Sequence, residues 1–233
     1  MTSMTQRIFV LMLLMAGVVS SFAHTEEDDT FIRDDYDGYY LTRMQVEMTV
    51  HKDHTYDVVE QFDAFFTEQR HGLYRSIPRR FWHNRDVSEA QDSSEYRNLY
   101  NAVEVRDIDV SEEFDLEYPS EVIDVRIGSL DRYVEGPHSY RVSYTLAVSD
   151  DRVAASDVFF HSMLGSEWTG STDSLFFTIH FDEALPQSSL DAMKVYVGFE
   201  GLEATRTEEV IDYCDSLLLR GHASHLQAHN AVT

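Results

Sequence analysis

The chain has 233 residues and is strongly acidic, with 42 Asp and Glu against 18 Lys and Arg and a formal net charge of −24. Because a phosphate polyanion needs clustered cationic side chains, this balance argues against a nucleic-acid partner and against flat binding to anionic lipid. Cys214 is the only cysteine, which excludes an intramolecular disulfide and a zinc site built from thiolates.

The first 23 residues have the pattern of a secretory signal peptide. Arg7 is followed by an apolar run over residues 8–19, which suits a signal peptide and is short for a bilayer span. A retained N-terminal anchor is the alternative. Ser21-Phe22-Ala23 is a small-x-small site, so we predict cleavage before His24 and export to the periplasm or the extracellular space, with membrane association left open. No other apolar run approaches membrane length, so the mature chain is predicted to have no transmembrane helix.

Residues 24–39 are predicted to form an acidic, flexible segment, because they are rich in Asp and Glu and hold few apolar side chains. Asp34, Asp35 and Asp37 raise the alternative of a calcium site. The run lacks the alternating ligands and closing Glu of a calcium-binding loop, so we predict neither a metal nor a cofactor here.

From residue 40 the pattern changes to a period of two, which predicts strands with one buried face. In the first strand the apolar positions are Met44, Val46, Met48 and Val50. A turn at Lys52-Asp53-His54 leads to a second strand, with Val58, Glu60 and Phe62 on one face. Two strands joined so tightly are predicted to form a hairpin.

Residues 71–82 concentrate arginines and aromatic rings around Pro78, which favours an extended segment entering a turn. We predict a recognition surface here, and its candidate binding residues are His71, Tyr74, Arg75, Arg79, Arg80 and Trp82. The alternative is structural, since arginines also pair with carboxylates inside acidic proteins. Extended residues alternate sides, so we expect Arg75 to be a buried anchor paired with an acid and Arg79 and Arg80 to lie near the surface.

Further strands follow. The polar stretch 84–98 predicts a surface loop, and the broken alternation between Val105 and Ile108 predicts a bulge. Gly136-Pro137 predicts a turn ahead of the clearest strand, residues 140–148. Strands at 175–181 and 195–199 complete the series. The positions predicted to be buried are Val142, Tyr144, Leu146, Phe177, Ile179 and Val197.

Residues 201–233 are predicted to form a C-terminal helix and tail. Thr205 and Glu208 fit a capping box, and Gly221 fits a helix stop. The apolar positions at helical spacing are Val210, Ile211, Cys214, Leu217 and Leu218. His222, His225 and His229 raise the alternative of zinc binding, which a short exposed tail supports poorly, so we predict no metal.

About seven strands with turns between them and no alternating helices indicate an all-β fold. We predict an antiparallel immunoglobulin-like β-sandwich over residues 40–200, followed by a short C-terminal helix.

Several short elements occur in the order typical of one known family. They are Asp53-His54, Val59-Glu60, His71-Gly72-Leu73-Tyr74-Arg75-Ser76-Ile77-Pro78, Ile127-Gly128-Ser129, Gly136-Pro137-His138-Ser139-Tyr140 and Val142-Ser143-Tyr144. Over residues 40–200 the chain resembles the extracytoplasmic module of the predicted membrane protein family called domain of unknown function 2207. The resemblance implies a bacterial envelope protein with a signal peptide, an exported β-rich domain and membrane helices, and it implies no catalytic residues.

The chain departs from that family in two places. It has Phe160-His161 where relatives carry a Trp-Asn element, and it reaches Thr233 without a membrane helix. A soluble envelope form and a truncated form are the two alternatives.

A non-catalytic binding or interaction domain is the function predicted first, because sandwiches present loops at their ends and this chain offers Arg, Tyr and Trp there. An envelope protein or a glycan is the expected partner. The alternative is a hydrolase, for example one acting on envelope glycans, that uses paired carboxylates or His; its scattered candidates are Glu60, His71 and His161. A structural spacer is the third hypothesis.

Overall fold

The period of two in the sequence carries through to the backbone, which is mainly strand. The structure, a computed structural model, describes residues 31–33, 35, 37–82, 100–149, 159, 161–199, 203–205 and 207–233. At residues 81, 82, 100, 101, 203–205 and 208 it describes the backbone alone. The predicted signal peptide, most of the acidic segment and the predicted 84–98 loop lie outside the described residues.

The described residues contain fourteen strands and two short helices. The strands are β1 Tyr39–Val50, β2 Thr55–Arg70, β3 Leu73–Pro78, β4 Arg80–Trp82, β5 Tyr100–Val110, β6 Phe114–Glu117, β7 Val122–Ile127, β8 Val134–Val148, β9 Thr172–Phe181, β10 Val195–Phe199, β11 Glu203–Thr205, β12 Ile211–Cys214, β13 Leu218–Leu226 and β14 Asn230–Val232. The helices are α1 Gln187–Asp191 and α2 Thr207–Val210.

The strands form one large and two small sheets. The large sheet has eight strands in the order β12-β13-β9-β1-β2-β8-β5-β4, and the other two have the orders β3-β7-β6 and β11-β10-β14. We call β3-β7-β6 the small sheet. The prediction of a mainly β, antiparallel-dominated fold is confirmed, with one correction: β1 and β9, in the large sheet, pair in parallel. The immunoglobulin-like sandwich stays a prediction.

One face of the large sheet forms the core. Its buried side chains include Leu41, Met44, Val46, Val58, Phe62, Val142, Leu146, Leu175 and Ile179. The small sheet contributes Leu73, Ile77, Val125 and Ile127 to the same apolar cluster. Burial of Val142, Tyr144, Leu146, Phe177 and Ile179 is confirmed, whereas Val197 is only partly buried. The opposite side chains of these strands are largely polar, as the alternation predicts.

The prediction for the C-terminal segment was wrong in extent. The helix spans only Thr207–Val210, and the next residues form β12 and β13, with β13 extending the large sheet along β9. Leu219 and Leu226 are thereby buried. Gly221 does not stop a helix: it lies inside β13, where a Cβ atom would overlap the Phe177 ring and the Val210 carbonyl oxygen. Pairing with β9 therefore outweighs the local helical spacing.

Two smaller predictions have different outcomes. The bulge is confirmed, because the register of β5 against β8 shifts between Arg106 and Asp109. The turn at Gly136-Pro137 was wrong, since both residues lie within β8. Pro137 pairs with Phe65 of β2, at a point where β8 has no pairing with β5 on its other side, so the missing N–H breaks no ladder.

Candidate functional site

The central residue of the predicted recognition segment, Arg75, lies in the core. Strand β3 alternates sides, so Leu73, Arg75 and Ile77 face inward while Tyr74 is exposed. The Arg75 guanidinium donates from Nε and Nη2 to the two oxygens of Glu60, each at 2.7 Å. Both side chains are at most 2 % exposed. The predicted buried anchor is therefore confirmed, with Glu60 as its acid.

Tyr144 completes this buried cluster. Its hydroxyl donates to Glu60 Oε1 at 2.7 Å, so the carboxylate accepts three hydrogen bonds from protein groups. Burial alone would raise the pKa of Glu60, but the Arg75 guanidinium and the hydrogen bonds hold it below its usual value. Burial and the adjacent carboxylate raise the pKa of Tyr144 well above its ordinary range. We expect an ionised Glu60 and a neutral Tyr144.

Two further side chains, those of Trp168 and His161, lie near the cluster. The Trp168 ring centroid lies 5.9 Å from the guanidinium carbon of Arg75, in cation–π distance. His161 is 4 % exposed, and burial lowers its pKa to about 4. It is therefore a neutral core histidine at pH 7 rather than a surface base. The cluster links the two sheets, because Arg75 lies on β3 of the small sheet whereas Glu60 and Tyr144 lie on β2 and β8 of the large sheet.

The next motif residues, His71 and Gly72, meet Gly128 and Ser129 at a tight backbone crossing. Gly72 and Gly128 have φ values of 124° and 121°. A Cβ atom on Gly72 would overlap the Ile127 carbonyl oxygen, and one on Gly128 would overlap that of His71. Only glycine fits such positions. The two glycine-containing motif elements, far apart in sequence, are therefore needed for one packed junction.

His71 fixes the loop that follows this junction. Its Nδ1 lies 3.2 Å from the Ser129 carbonyl oxygen and 3.1 Å from that of Arg132, so Nδ1 must carry the proton. The ring packs on Tyr133 with the centroids 4.1 Å apart. His71 thus holds the loop in place and presents Tyr133, which is 65 % exposed.

The remaining predicted site residues lie apart from the buried cluster. Arg79 is exposed, and Arg80 Nη1 is 2.6 Å from Glu121 Oε1 at the crossing from β3 to β4. Their predicted position near the surface is confirmed. The side chain of Trp82 lies outside the described residues, although its backbone pairs with Tyr100. The structure therefore does not bring the five candidates whose side chains it describes together into one site.

The outward side of the small sheet, which we call the acidic face, was not predicted from sequence. It consists of two cross-strand rows: Tyr74, Arg126 and Asp115 in one, and Ser76, Asp124 and Glu117 in the other. Arg126 pairs with Asp115, the Ser76 hydroxyl donates to Asp124, and the Tyr74 hydroxyl donates to Glu117 at 3.3 Å. Glu117 and Asp124 lie directly opposite each other on adjacent strands.

Comparison with solved structures gives low similarities. Leukotriene A4 hydrolase from Saccharomyces cerevisiae aligns with a TM-score of 0.42 and 8% identity over 90% of this chain and 31% of its own. An M1 zinc metallopeptidase from Deinococcus radiodurans aligns with a TM-score of 0.36 and 8% identity over 84% of this chain and 41% of its own. The chain spans less than half the length of these structures. No curated protein matches its sequence.

Neither helix in the described part of the chain is long and apolar enough to cross a bilayer. A family model described as "Predicted membrane protein (DUF2207) N-terminal domain" matches residues 40–213, which is most of the chain. The match includes the buried cluster, the glycine junction and the acidic face. The chain therefore belongs to the DUF2207 family of predicted membrane proteins, as a representative of its N-terminal domain.

Proposed function

We propose that this chain is an exported, non-catalytic interaction module that binds an envelope protein through the surroundings of its small sheet. In this proposal residues 1–23 are a cleaved signal peptide and the β-rich region is an immunoglobulin-like sandwich. The membership of a predicted membrane protein family supports a location at the cell envelope.

The distribution of exposed apolar side chains is the observation that carries the proposal. Nine large apolar residues are exposed in the described part of the chain, and four of them lie on or beside the small sheet. They are Tyr74, Tyr118, Leu130 and Tyr133, between 50% and 67% exposed, and we call them the tyrosine surface. Exposed aromatic side chains held on a rigid support are typical of binding hot spots.

The backbone that carries Tyr74 and Tyr133 is held rigidly. Tyr74 is adjacent to the buried Arg75, and Tyr133 packs against His71, which is hydrogen-bonded to the backbone. Little side-chain and loop entropy then remains to be lost on binding, which favours affinity.

The hydrolase hypothesis has weaker support. Both oxygens of Glu60 are occupied by Arg75, His71 is bonded to two carbonyl oxygens, and His161 is buried. A general acid or base must reach the substrate, which a fully buried carboxylate bonded to Arg75 and Tyr144 cannot do. These contacts favour binding over catalysis.

The binding proposal is tested with envelopes isolated from the source cells. The double variant Tyr74→Ala, Tyr133→Ala is expected to lose most of its retention on these envelopes. A matched control is the double variant Tyr213→Ala, Leu217→Ala, which removes two similarly exposed side chains near β12. Near-UV circular dichroism verifies that both variants fold. Equal retention of the two folded variants would contradict the proposal.

Export is tested separately by N-terminal sequencing of the protein recovered from the envelope or the medium. The expected first residue is His24. A protein that still begins with Met1 would rule out the predicted cleavage.

A further inference from the structure

We infer that the acidic face binds a cationic polypeptide segment, with one Lys or Arg side chain seated between Glu117 and Asp124 beside Tyr74. This inference rests on the proposed function and specifies the chemistry of the partner.

Glu117 and Asp124 form a like-charged pair on the acidic face. Directly opposite residues on adjacent antiparallel strands have Cβ atoms about 4.5–5.5 Å apart, and two like charges there are destabilising. Neither carboxylate forms a salt bridge with a described residue; each accepts a hydrogen bond from a neutral hydroxyl, that of Tyr74 or Ser76. A cation between them would relieve this repulsion.

Three arginines around the small sheet are already paired with other carboxylates. Arg126 binds Asp115, Arg80 binds Glu121 at 2.6 Å, and Arg132 lies 3.6 Å from Glu113. Each therefore neutralises another carboxylate, which leaves Glu117 and Asp124 as the negative centre of the acidic face. A cationic partner can supply the complementary charge.

Tyr74 adds a second contact for a cation. It is 50% exposed, and burial together with the Glu117 carboxylate raises its pKa, so it stays a neutral phenol. An ammonium or guanidinium group attracted to the two carboxylates can also contact the face of this ring.

The tyrosine surface favours a polypeptide over a small free cation. Tyr118 follows β6 at one end of the small sheet, whereas Leu130 and Tyr133 follow β7 at the other. These exposed apolar groups flank the carboxylates on both sides, so they can contact residues that precede and follow the bound Lys or Arg. A single metal ion would leave them unused.

The test measures binding of a capped peptide of alternating Lys and Gly by titration calorimetry at low salt. The wild-type protein is expected to bind it, and the double variant Glu117→Gln, Asp124→Asn to bind at least about tenfold more weakly. The matched control Glu47→Gln, Glu183→Gln removes the same net charge from exposed positions elsewhere and should keep the wild-type affinity. A peptide with Glu in place of Lys should not bind.

A second readout needs no ligand. Removing the like-charged pair should make the Glu117→Gln, Asp124→Asn variant at least as stable to urea as the wild type. The inference fails if this variant keeps full affinity for the Lys peptide, or if the control pair loses as much affinity, which would indicate a general charge effect. It also fails if free lysine or Ca²⁺ binds as tightly as the peptide.

The two proposals have distinguishable failures. If the tyrosine variants lose envelope retention while the carboxylate variant retains both envelope and peptide binding, the interaction module stands and the cationic partner is wrong. If the tyrosine variants keep envelope retention, the proposed binding surface itself is wrong.

Discussion

Glu60 and Arg75 are both removed from water, so each depends on the other. Moving an ion into a protein interior costs several kcal/mol, and this cost is offset only when the partner charge and further hydrogen bonds are in place. Here two bonds from Arg75 and one from Tyr144 satisfy the carboxylate. Loss of one partner would leave the other buried and uncompensated.

We therefore expect Arg75→Ala to lower the free energy of unfolding by about 3–5 kcal/mol. The double variant Arg79→Ala, Arg80→Ala should lose less than about 1 kcal/mol, since Arg79 is exposed and the Arg80–Glu121 ion pair is partly exposed. Urea midpoints of the two proteins test this order. If the double variant proves the less stable, Arg75 is not the anchor of the segment.

His51 is a second residue whose charge is determined by its neighbours. Its Nδ1 lies 2.7 Å from Asp182 and its Nε2 lies 2.9 Å from Asp57, which also accepts a hydrogen bond from Thr145. Carboxylates only accept, so both ring nitrogens must donate, which requires the imidazolium form. The hydrogen bonds to Asp182 and then Asp57 raise the pKa of His51.

This gives a pH prediction. A raised histidine pKa adds stability that is fully present below the unfolded pKa of about 6.5 and is lost as pH rises through the folded value. We expect His51→Gln to destabilise the protein more at pH 5.5 than at about pH 8.5. Urea midpoints at both pH values measure the difference. His180→Gln, at an exposed β9 histidine, is the control, and an equal loss for His51→Gln at both pH values would contradict the interpretation.

At the scale of the strands, the junction between β3 and β7 depends on glycine. Gly72 and Gly136 both have positive φ, at 124° and 74°, but only Gly72 faces another backbone, while a Cβ atom on Gly136 would meet nothing within 4 Å. Alanine substitutions at the two positions therefore separate the cost of a positive φ from the additional cost of a steric overlap with the facing backbone.

Gly136→Ala is expected to cost about 1–2 kcal/mol, the usual cost of a left-handed conformation for a residue with a Cβ atom. Gly72→Ala should cost clearly more, because β3 must also move away from Ile127. Thermal or urea denaturation of the two variants gives the comparison. Similar losses would mean that the junction tolerates a side chain.

The long strands were predictable because β1, β2, β8 and β9 each keep a period of two over at least seven residues, which no helix shares. The C-terminal strands were not. Apolar residues from Val210 to Leu218 fit helical spacing, and the strand β13 is stabilised by β9, which lies more than thirty residues earlier. Tertiary pairing of this kind leaves no local signal.

The candidate site was likewise predictable only in part from the sequence. Burial of Arg75 follows from its place in an alternating strand, and Glu60 gave a signal as a carboxylate on an otherwise apolar face. The opposition of Glu117 and Asp124 could not be predicted, because it depends on the register between β6 and β7. Neither strand specifies that register by itself.

For the whole molecule, the balance of charge is the dominant electrostatic feature. The 42 acidic and 18 basic residues leave a formal charge of −24 even if every cation is paired. Self-repulsion of this size disfavours the compact state. Salt also weakens surface ion pairs such as Arg33–Asp173 and Arg106–Glu104, but such exposed pairs contribute little.

Repulsion among the excess carboxylates should therefore outweigh attraction within the surface ion pairs, so added salt should stabilise the fold. We expect the urea midpoint to rise as NaCl increases from about 10 mM to about 300 mM, over which the screening length falls from about 30 Å to below 8 Å. KCl should give the same rise, because screening does not depend on the identity of the cation. A falling midpoint would mean that the surface ion pairs stabilise this protein more than its excess carboxylates destabilise it.

The buried Glu60–Arg75 pair is shielded from solvent ions, so Arg75→Ala should lose the same free energy at both salt concentrations.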